Sequence, residues 1–361
     1  MSKPLEISWF SALCDDDYEF LGVPDASLAS SWEHCRNIVM RAEEGGFDNI
    51  LLPSGYQLGI DTQMFAGAIA ALTRQIRLLM AVRIGETWPP QLARQIATLD
   101  RILGAAPCGA ARLAVNIISS DMPGEKMDSE PRYARTVEAM KILKTLLNGE
   151  HLSHKGEFYN FDLAPPRITT LSGKCPPLYF GGLSPAAREA AAEGCDVYLM
   201  WPETLDGAKA LIADMTERAA KRGRTLKYGF RAHVIVRETE AEARDYASRL
   251  LSKLDADKGA EIRGKSLDAQ TFGVARQAEL RAAAGEDGYI EDNLWTGIGR
   301  ARSGCGAAIV GDPDQVVAKI RAYQALGIDA FILSGYPHMT ECDMFARYVL
   351  PQLDHGKLSL D

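Results

Sequence analysis

The ten residues YGFRAHVIVR, from Tyr228 to Arg237, are the stretch on which the fold turns. Phe230, Ala232, Val234 and Val236, with Ile235 among them, read as a buried β-strand. Arg231 and His233 interrupt the apolar run, and residues two apart on a strand point to one face. An arginine and a histidine therefore project together into whatever this strand borders. By itself the pair reads either as part of a pocket or as a solvated strand end.

Outward from it, short apolar runs alternate with longer helix-period segments. The strand candidates are 6–13, 47–54, 76–84, 111–119, 176–182, 195–201, 226–237 and 328–336. Between them lie amphipathic stretches such as SSWEHCRNIVMRAEEGG and YARTVEAMKILKTLLNG. Eight strands, each followed by a helix, predict an α/β chain folded as one (β/α)8 TIM barrel over residues 1–361. A doubly wound sheet is the rival, but it has no need of eight units. Two segments break the rhythm: 148–175 reads as a hairpin excursion, and the polar, Ala-rich 255–305 as an insertion or mobile lid.

Composition narrows the function. The chain has 361 residues, 47% apolar and 24% charged, with net charge −8, which argues against generic nucleic-acid or membrane binding. An anionic ligand would need a local basic pocket. Seven scattered cysteines without a CxxC pair fit a reduced cytoplasmic protein better than a disulfide framework or zinc site. The start MSKPLEISWF has no apolar leader core, and no stretch reaches membrane-span length. HExxH, GxSxG and P-loop motifs are absent. His151 and His154 read as surface residues, and His34 and His355 have no motif around them.

A barrel of this kind carries its site at the C-terminal strand ends. Ser54, Arg83, Asn116 to Ser120, Gly181 to Ser184, Trp201, Arg231 with His233, and Tyr336 fall there. In GGLSPAAREAA (181–191), Ser184 as N-cap and Pro185 at N1 signal a helix start, whose free N–H groups suit a phosphate. The same run also reads as a plain βα turn. GIGRARSGCG (297–306) lacks the strand–helix setting of a nucleotide loop, so Arg300 and Arg302 read as lid arginines or solvated ones.

Together these runs resemble the bacterial-luciferase-like flavin monooxygenases, most closely the alkanesulfonate monooxygenase group. The matching segments are ARQIATLDRIL, the RY of EPRYART, PPLYFGG, DVYLMW, YGFRAHVIVRET, NLWTGIGRARSGCGAAIVGDP and LGIDAFILSGYPH. The resemblance implies a cytoplasmic two-component enzyme that takes reduced FMN (FMNH2) from a separate NAD(P)H-dependent FMN reductase. With O2 it cleaves the C–S bond of a sulfonate, releasing sulfite and an aldehyde. The resemblance also implies a homodimer or homotetramer, and no metal.

Residue by residue, Arg231, His233, Arg302 and Tyr336 match the family's catalytic set. Tyr133 and the Gly182, Leu183, Ser184 turn match positions that hold the FMN phosphate, and Asn116 and Ser119 match a flavin-lining strand end. Trp201 joins Arg231, His233 and Arg302 as an expected substrate contact. A sulfonate spreads one charge over three oxygens, and arginine offers a forked set of donors.

Two loops depart from the family pattern. WFSALCDDDYEFLG replaces a Thr-His-Gly-Asp-Gly loop, and SGYQLGID replaces a Ser-Cys-Glu-Asp run, putting Leu58 at the cysteine position. The aspartates of CDDD gain nothing from an alkyl chain but accept hydrogen bonds from hydroxyl groups. Asp15 and Asp16 are thus expected to contact a hydroxylated sulfonate such as the sulfosugar sulfoquinovose, or else to form a solvated loop. The alternatives are a simple alkanesulfonate substrate, a deazaflavin-dependent oxidoreductase, or a non-catalytic flavin-binding relative.

Overall fold

In the computed structural model, residues 4–106, 109–255, 257, 259, 261, 271–302 and 304–360 are described. Eight parallel strands close a barrel: β1 (Glu6–Phe10), β2 (Asn49–Leu52), β3 (Arg77–Arg83), β4 (Leu113–Ile118), β5 (Leu178–Phe180), β6 (Val197–Met200), β7 (Lys227–Val236) and β8 (Ala330–Ser334). Neighbours pair in sequence order, and β8 closes the ring between β7 and β1. Each strand is followed by a helix on the outside, from Trp32–Glu44 after β1 to His338–Tyr348 after β8. The expected TIM barrel is the fold observed.

Strand periodicity sorts the core into two sets. Ile7, Trp9, Leu78, Met80, Val82, Val115 and Phe230 pack against the helices. Phe10, Leu51, Leu79, Ala114, Tyr179, Val197 and Ile332 fill the barrel. In β7 the even residues Tyr228 to Val236 belong to the helix side, so Arg231 and His233 point into the barrel mouth.

The barrel interior is layered. At its N-terminal end Glu6 accepts from Asn49 Nδ2 (3.0 Å), Tyr179 Oη (2.7 Å), Arg77 Nη1 (2.6 Å) and Leu358 N (2.9 Å). An apolar middle follows, and the polar groups of the mouth lie above it.

The 255–305 insertion carries structure where it is described. Phe272–Ala283 is a helix, Tyr289–Glu291 and Leu294–Trp295 form a hairpin, and Gly297–Arg300 is a buried 3-10 turn. Residues 256, 258, 260, 262–270 and 303 of that insertion, and Cys108, lie outside the described residues. The segment then feeds Ala308–Gly311, which pairs with the outer half of β7 from His233 to Val236. Tyr228 O accepts from Asp329 N while His233 N donates to Ala307 O. Residues of opposite parity face opposite strand edges, so Ala308–Gly311 lies on the β6 side of β7. Residues 152–155 and 160–163 form an antiparallel hairpin. Among the described residues the cysteines are free thiols, and no helix is long and apolar enough to cross a membrane.

Candidate active site

The mouth of the barrel holds two neighbouring regions. The first is a cavity of about 450 Å³ at the ends of β4, β5 and β6. Asn116, Ser119, Tyr133, Gly182, Leu183, Ser184 and Trp201 all line it. Its upper end is built on a helix N-terminus: Ser184 Oγ accepts from Ala187 N at 3.1 Å, and Pro185 opens the helix. A Cβ on Gly182 would lie 2.6 Å from the Ala187 Cβ, so only glycine lets the chain turn this closely. Tyr198 Oη holds the same turn by donating to Gly182 O at 2.8 Å. Arg132 sits beside Tyr133 at this end, bonded to Asp121 at 2.7 Å. The opposite walls are apolar and flat: Ile118, Leu199, Met200, Trp201 and Phe272. Arg132 and Phe272 were missed in the sequence. Arg132 precedes a residue that was singled out, and Phe272 stands in a segment without strand or motif signal.

The second region is a buried polar cluster between β7, β8 and the loop after β1. Arg231, His233, Arg302 and Tyr336 come together here. Arg302 Nη1 donates to Tyr336 Oη at 2.7 Å and to the carboxylate of Asp16. The His233 and Tyr336 rings lie 5.0 Å apart, and the Arg231 and Arg302 guanidinium groups stand 4.4 and 5.4 Å from the Phe10 ring centroid. Trp201 connects the regions: it lines the cavity, and a Cβ on Gly304 would lie 3.2 Å from its ring.

Ser334 organises the cluster. Its Oγ accepts from Arg231 Nη2 at 2.7 Å and lies 2.9 Å from His233 Nδ1. With the arginine as donor, the serine hydroxyl can either donate to Nδ1 or accept from it, so the contact serves both tautomers of a neutral His233. Burial first, then Arg231 and Arg302, push the His233 pKa well below its ordinary value, against a backbone contact at Cys305. At neutral pH the ring, Nε2 included, therefore carries no charge. That Nε2 has no well-formed hydrogen bond, nor do Asp16 Oδ1 and Arg302 Nε, although all three are buried. Three buried polar atoms without partners mark a place shaped for a polar ligand.

Two expectations need correction. Arg231 is not free to clamp an anion with a full fork, because Nη1 donates to Ala232 O (2.6 Å) and Ile332 O (3.4 Å) while Nη2 holds Ser334. Asp15 is not in the cluster: its carboxylate accepts from Ser30 N at 2.7 Å and Gly59 N at 3.2 Å, tying two loops together. His34, without a motif of its own, pairs with buried Asp17 at 2.9 Å. Asp17 also accepts from His338 N at 2.9 Å, so this pair anchors the β1 loop beside the cluster. Among the described residues no group of three or more His, Cys, Asp or Glu side chains forms a metal site.

The barrel, the cavity and the buried arginine cluster at its mouth together call for comparison with known enzymes. Residues 20–330 match the family described as luciferase-like monooxygenase, and the chain belongs to that family. It is 71% identical over 356 residues, 98% of each chain, to the sulfoquinovose monooxygenase of Novosphingobium aromaticivorans. It is 52% identical over 351 residues, 96% of this chain and 89% of the other, to the sulfoquinovose monooxygenase of Agrobacterium fabrum. Among solved structures it superposes on riboflavin lyase with modified FMN and riboflavin (TM-score 0.78, 16% identical, 99% and 95% of the two chains). It also superposes on a long-chain alkane monooxygenase (TM-score 0.77, 18% identical, 99% and 94%).

Proposed function

We propose that the chain is an FMNH2- and O2-dependent monooxygenase that cleaves the C–S bond of sulfoquinovose. The carrying observation is the set of unpartnered buried atoms at Asp16, Arg302 and His233, set beside a cavity of flavin size. A sulfonate oxygen suits Arg302 Nε, and His233 Nε2 when it carries the ring proton, and a sugar hydroxyl suits Asp16 Oδ1. An alkyl sulfonate has nothing to offer the aspartate. The two relatives carrying the sulfoquinovose name support the same substrate.

The first cavity fits FMN by the chemistry of its lining. The helix N-terminus at Ser184, with Tyr133 and Arg132, suits the phosphate. Asn116, Ile118, Trp201 and Met200 suit the ring system. Reduced FMN, when bound, supplies the electrons that activate O2. The protein's part is to place the sulfonate-bearing carbon against the ring, exclude water, and govern protons. Tyr336 Oη accepts from Arg302, which leaves its own proton to donate into the site, and burial, outweighing the Arg302 charge, holds that phenol protonated. A separate NAD(P)H-dependent FMN reductase would deliver the reduced flavin, and the family resemblance points to a homodimer or homotetramer.

The test is sulfite release from a panel of sulfonates with FMNH2 and O2. Turnover of sulfoquinovose well above simple alkanesulfonates is expected, lost by at least about 100-fold in Arg302→Ala. The reverse preference would overturn the sugar assignment.

A further inference from the structure

The Asp16 carboxylate stands among the cationic groups of the mouth, and that placement selects a ligand. Arg231 and Arg302 stay protonated at any ordinary pH. Burial raises Asp16, but the charges of Arg302, His338 and Arg231 with the Arg302 hydrogen bond outweigh it, so the carboxyl titrates below its usual range. His233 is neutral, as argued above. The Tyr336 and Cys305 protons are held on chiefly by burial, and the Cys14 thiol and Tyr18 phenol are each pushed up to about 12, again chiefly by burial.

The other charged groups nearby hold contacts of their own. Arg83 lies against Glu86 at 3.1 Å and Arg237 against Glu341 at 2.6 Å. Asp17 faces His34 and the backbone N–H groups of Tyr18 and His338. Asp15 is turned to Ser30 and Gly59. His338 lies against the carbonyls of Phe10 and Asp16 at 3.0 and 3.3 Å. Asp16 is thus the carboxylate of the mouth itself, bonded to Arg302 and with a buried Oδ1 that has no partner.

We infer that Asp16 is a charge filter, setting the mouth to accept a monoanion and to refuse a dianion. This rests on the reading of the cluster as the sulfonate site. A sulfosugar and a hexose 6-phosphate present the same ring hydroxyls and a tetrahedral anion of similar size. They differ in charge: the sulfonate carries one negative charge at all working pH, whereas a phosphate monoester carries nearly two above its second pKa of about 6. The second charge of a phosphate would stand against the Asp16 carboxylate in a dry site, where like charges repel strongly. Asp16 thus allows one arginine-rich mouth to hold a sulfosugar amid sugar phosphates.

The experiment is calorimetric titration of the full-length protein, in the presence of FMN, with sulfoquinovose and with glucose 6-phosphate from pH 8 to pH 6. The wild-type protein should bind the phosphate on the order of 100-fold more weakly at pH 8. That affinity should tighten by up to about tenfold per unit as pH falls towards 6, following the monoanion, while sulfoquinovose affinity stays nearly flat. In Asp16→Asn, which keeps the shape and removes the charge, phosphate binding at pH 8 should tighten at least about tenfold and lose its improvement at low pH. The wild-type pH series needs no variant and tests the filter even if Asp16→Asn does not fold. Equal affinity of the wild type for both anions at pH 8, or equal tightening of both in the variant, overturns the filter. If the preference is found but no sulfite is released, the filter stands and the proposed reaction falls. If neither anion binds, both fall.

Discussion

At the scale of single residues, hydrogen-bond geometry sets how the charged groups of the mouth are held. Ser334 is the clearest case, since one hydroxyl holds both the Arg231 fork and the His233 ring. Ser334→Ala should leave Nδ1 and an arginine N–H unpaired in a buried site, at a cost of about 1–3 kcal/mol in stability. It should also lower kcat/KM for sulfite release by about tenfold or more while Arg231 and His233 are both still present. Urea midpoints and steady-state kinetics on the same preparation check both parts. His233 gives a second expectation, with a defined sign. Its pKa is depressed in the folded state, from an unfolded value near 6.5. Above about pH 6.5 both states are neutral and nothing is lost. Below it the unfolded chain takes up the proton and the folded chain does not, so stability declines by up to about 1.4 kcal/mol per pH unit. Comparing urea unfolding of the wild type and His233→Asn at pH 7.5 and 5.5 isolates this loss, because the other histidines are common to both. An equal decline in the two proteins would show that His233 is not held neutral.

At the scale of elements, periodicity made the barrel legible and loop chemistry made the site only partly so. YGFRAHVIVR carried its meaning because a strand alternates, and the even residues do pack outward while Arg231 and His233 face the mouth. The GGLSP turn was legible for the same reason, since Ser-Pro at a helix start has few structural readings. The loop after β1 was not. Asp15, Asp16 and Asp17 are consecutive, yet one ties two loops, one meets Arg302 and one pairs with His34, and only the backbone path separates them. Asp15 adopts a φ of 49°, in the left-handed region, and no spacing rule announces that turn. Phe10 was similarly hidden, because its role beneath two arginines depends on which face of β1 looks inward. The turn at Gly182 offers a test at this scale. Gly182→Ala would drive a methyl group to 2.6 Å from Ala187 and force the turn outward. FMN affinity should fall at least about tenfold, and riboflavin affinity, which lacks the phosphate contact, should change much less. Flavin-fluorescence titration with the two ligands gives the ratio, and an equal loss for both would move the phosphate elsewhere.

At the scale of the whole molecule, stability and chemistry are assigned to opposite ends of one barrel. The C-terminal mouth keeps buried polar atoms without partners, which is costly, and such a site needs a scaffold that does not yield. The N-terminal end supplies it: both oxygens of Glu6 are used, drawing β1, β2, β3, β5 and the C-terminal segment at Leu358 onto one carboxylate. The apolar layer of Phe10, Leu51, Leu79 and Ile332 separates this network from the arginine cluster. Removing one partner of such a buried pair strands the other, at a cost of about 3–5 kcal/mol. Glu6→Gln should therefore lower stability by about that amount, chiefly by leaving Arg77 buried without a counter-ion. The change lies at the far end of the barrel, so KM for the sulfonate and the affinity for FMN should stay within about twofold in the folded fraction. Denaturant unfolding and steady-state kinetics at a temperature well below the midpoint would separate the two effects. A large rise in KM with little loss of stability would mean that the two ends are coupled through the barrel interior, and that the mouth is not held by the walls alone.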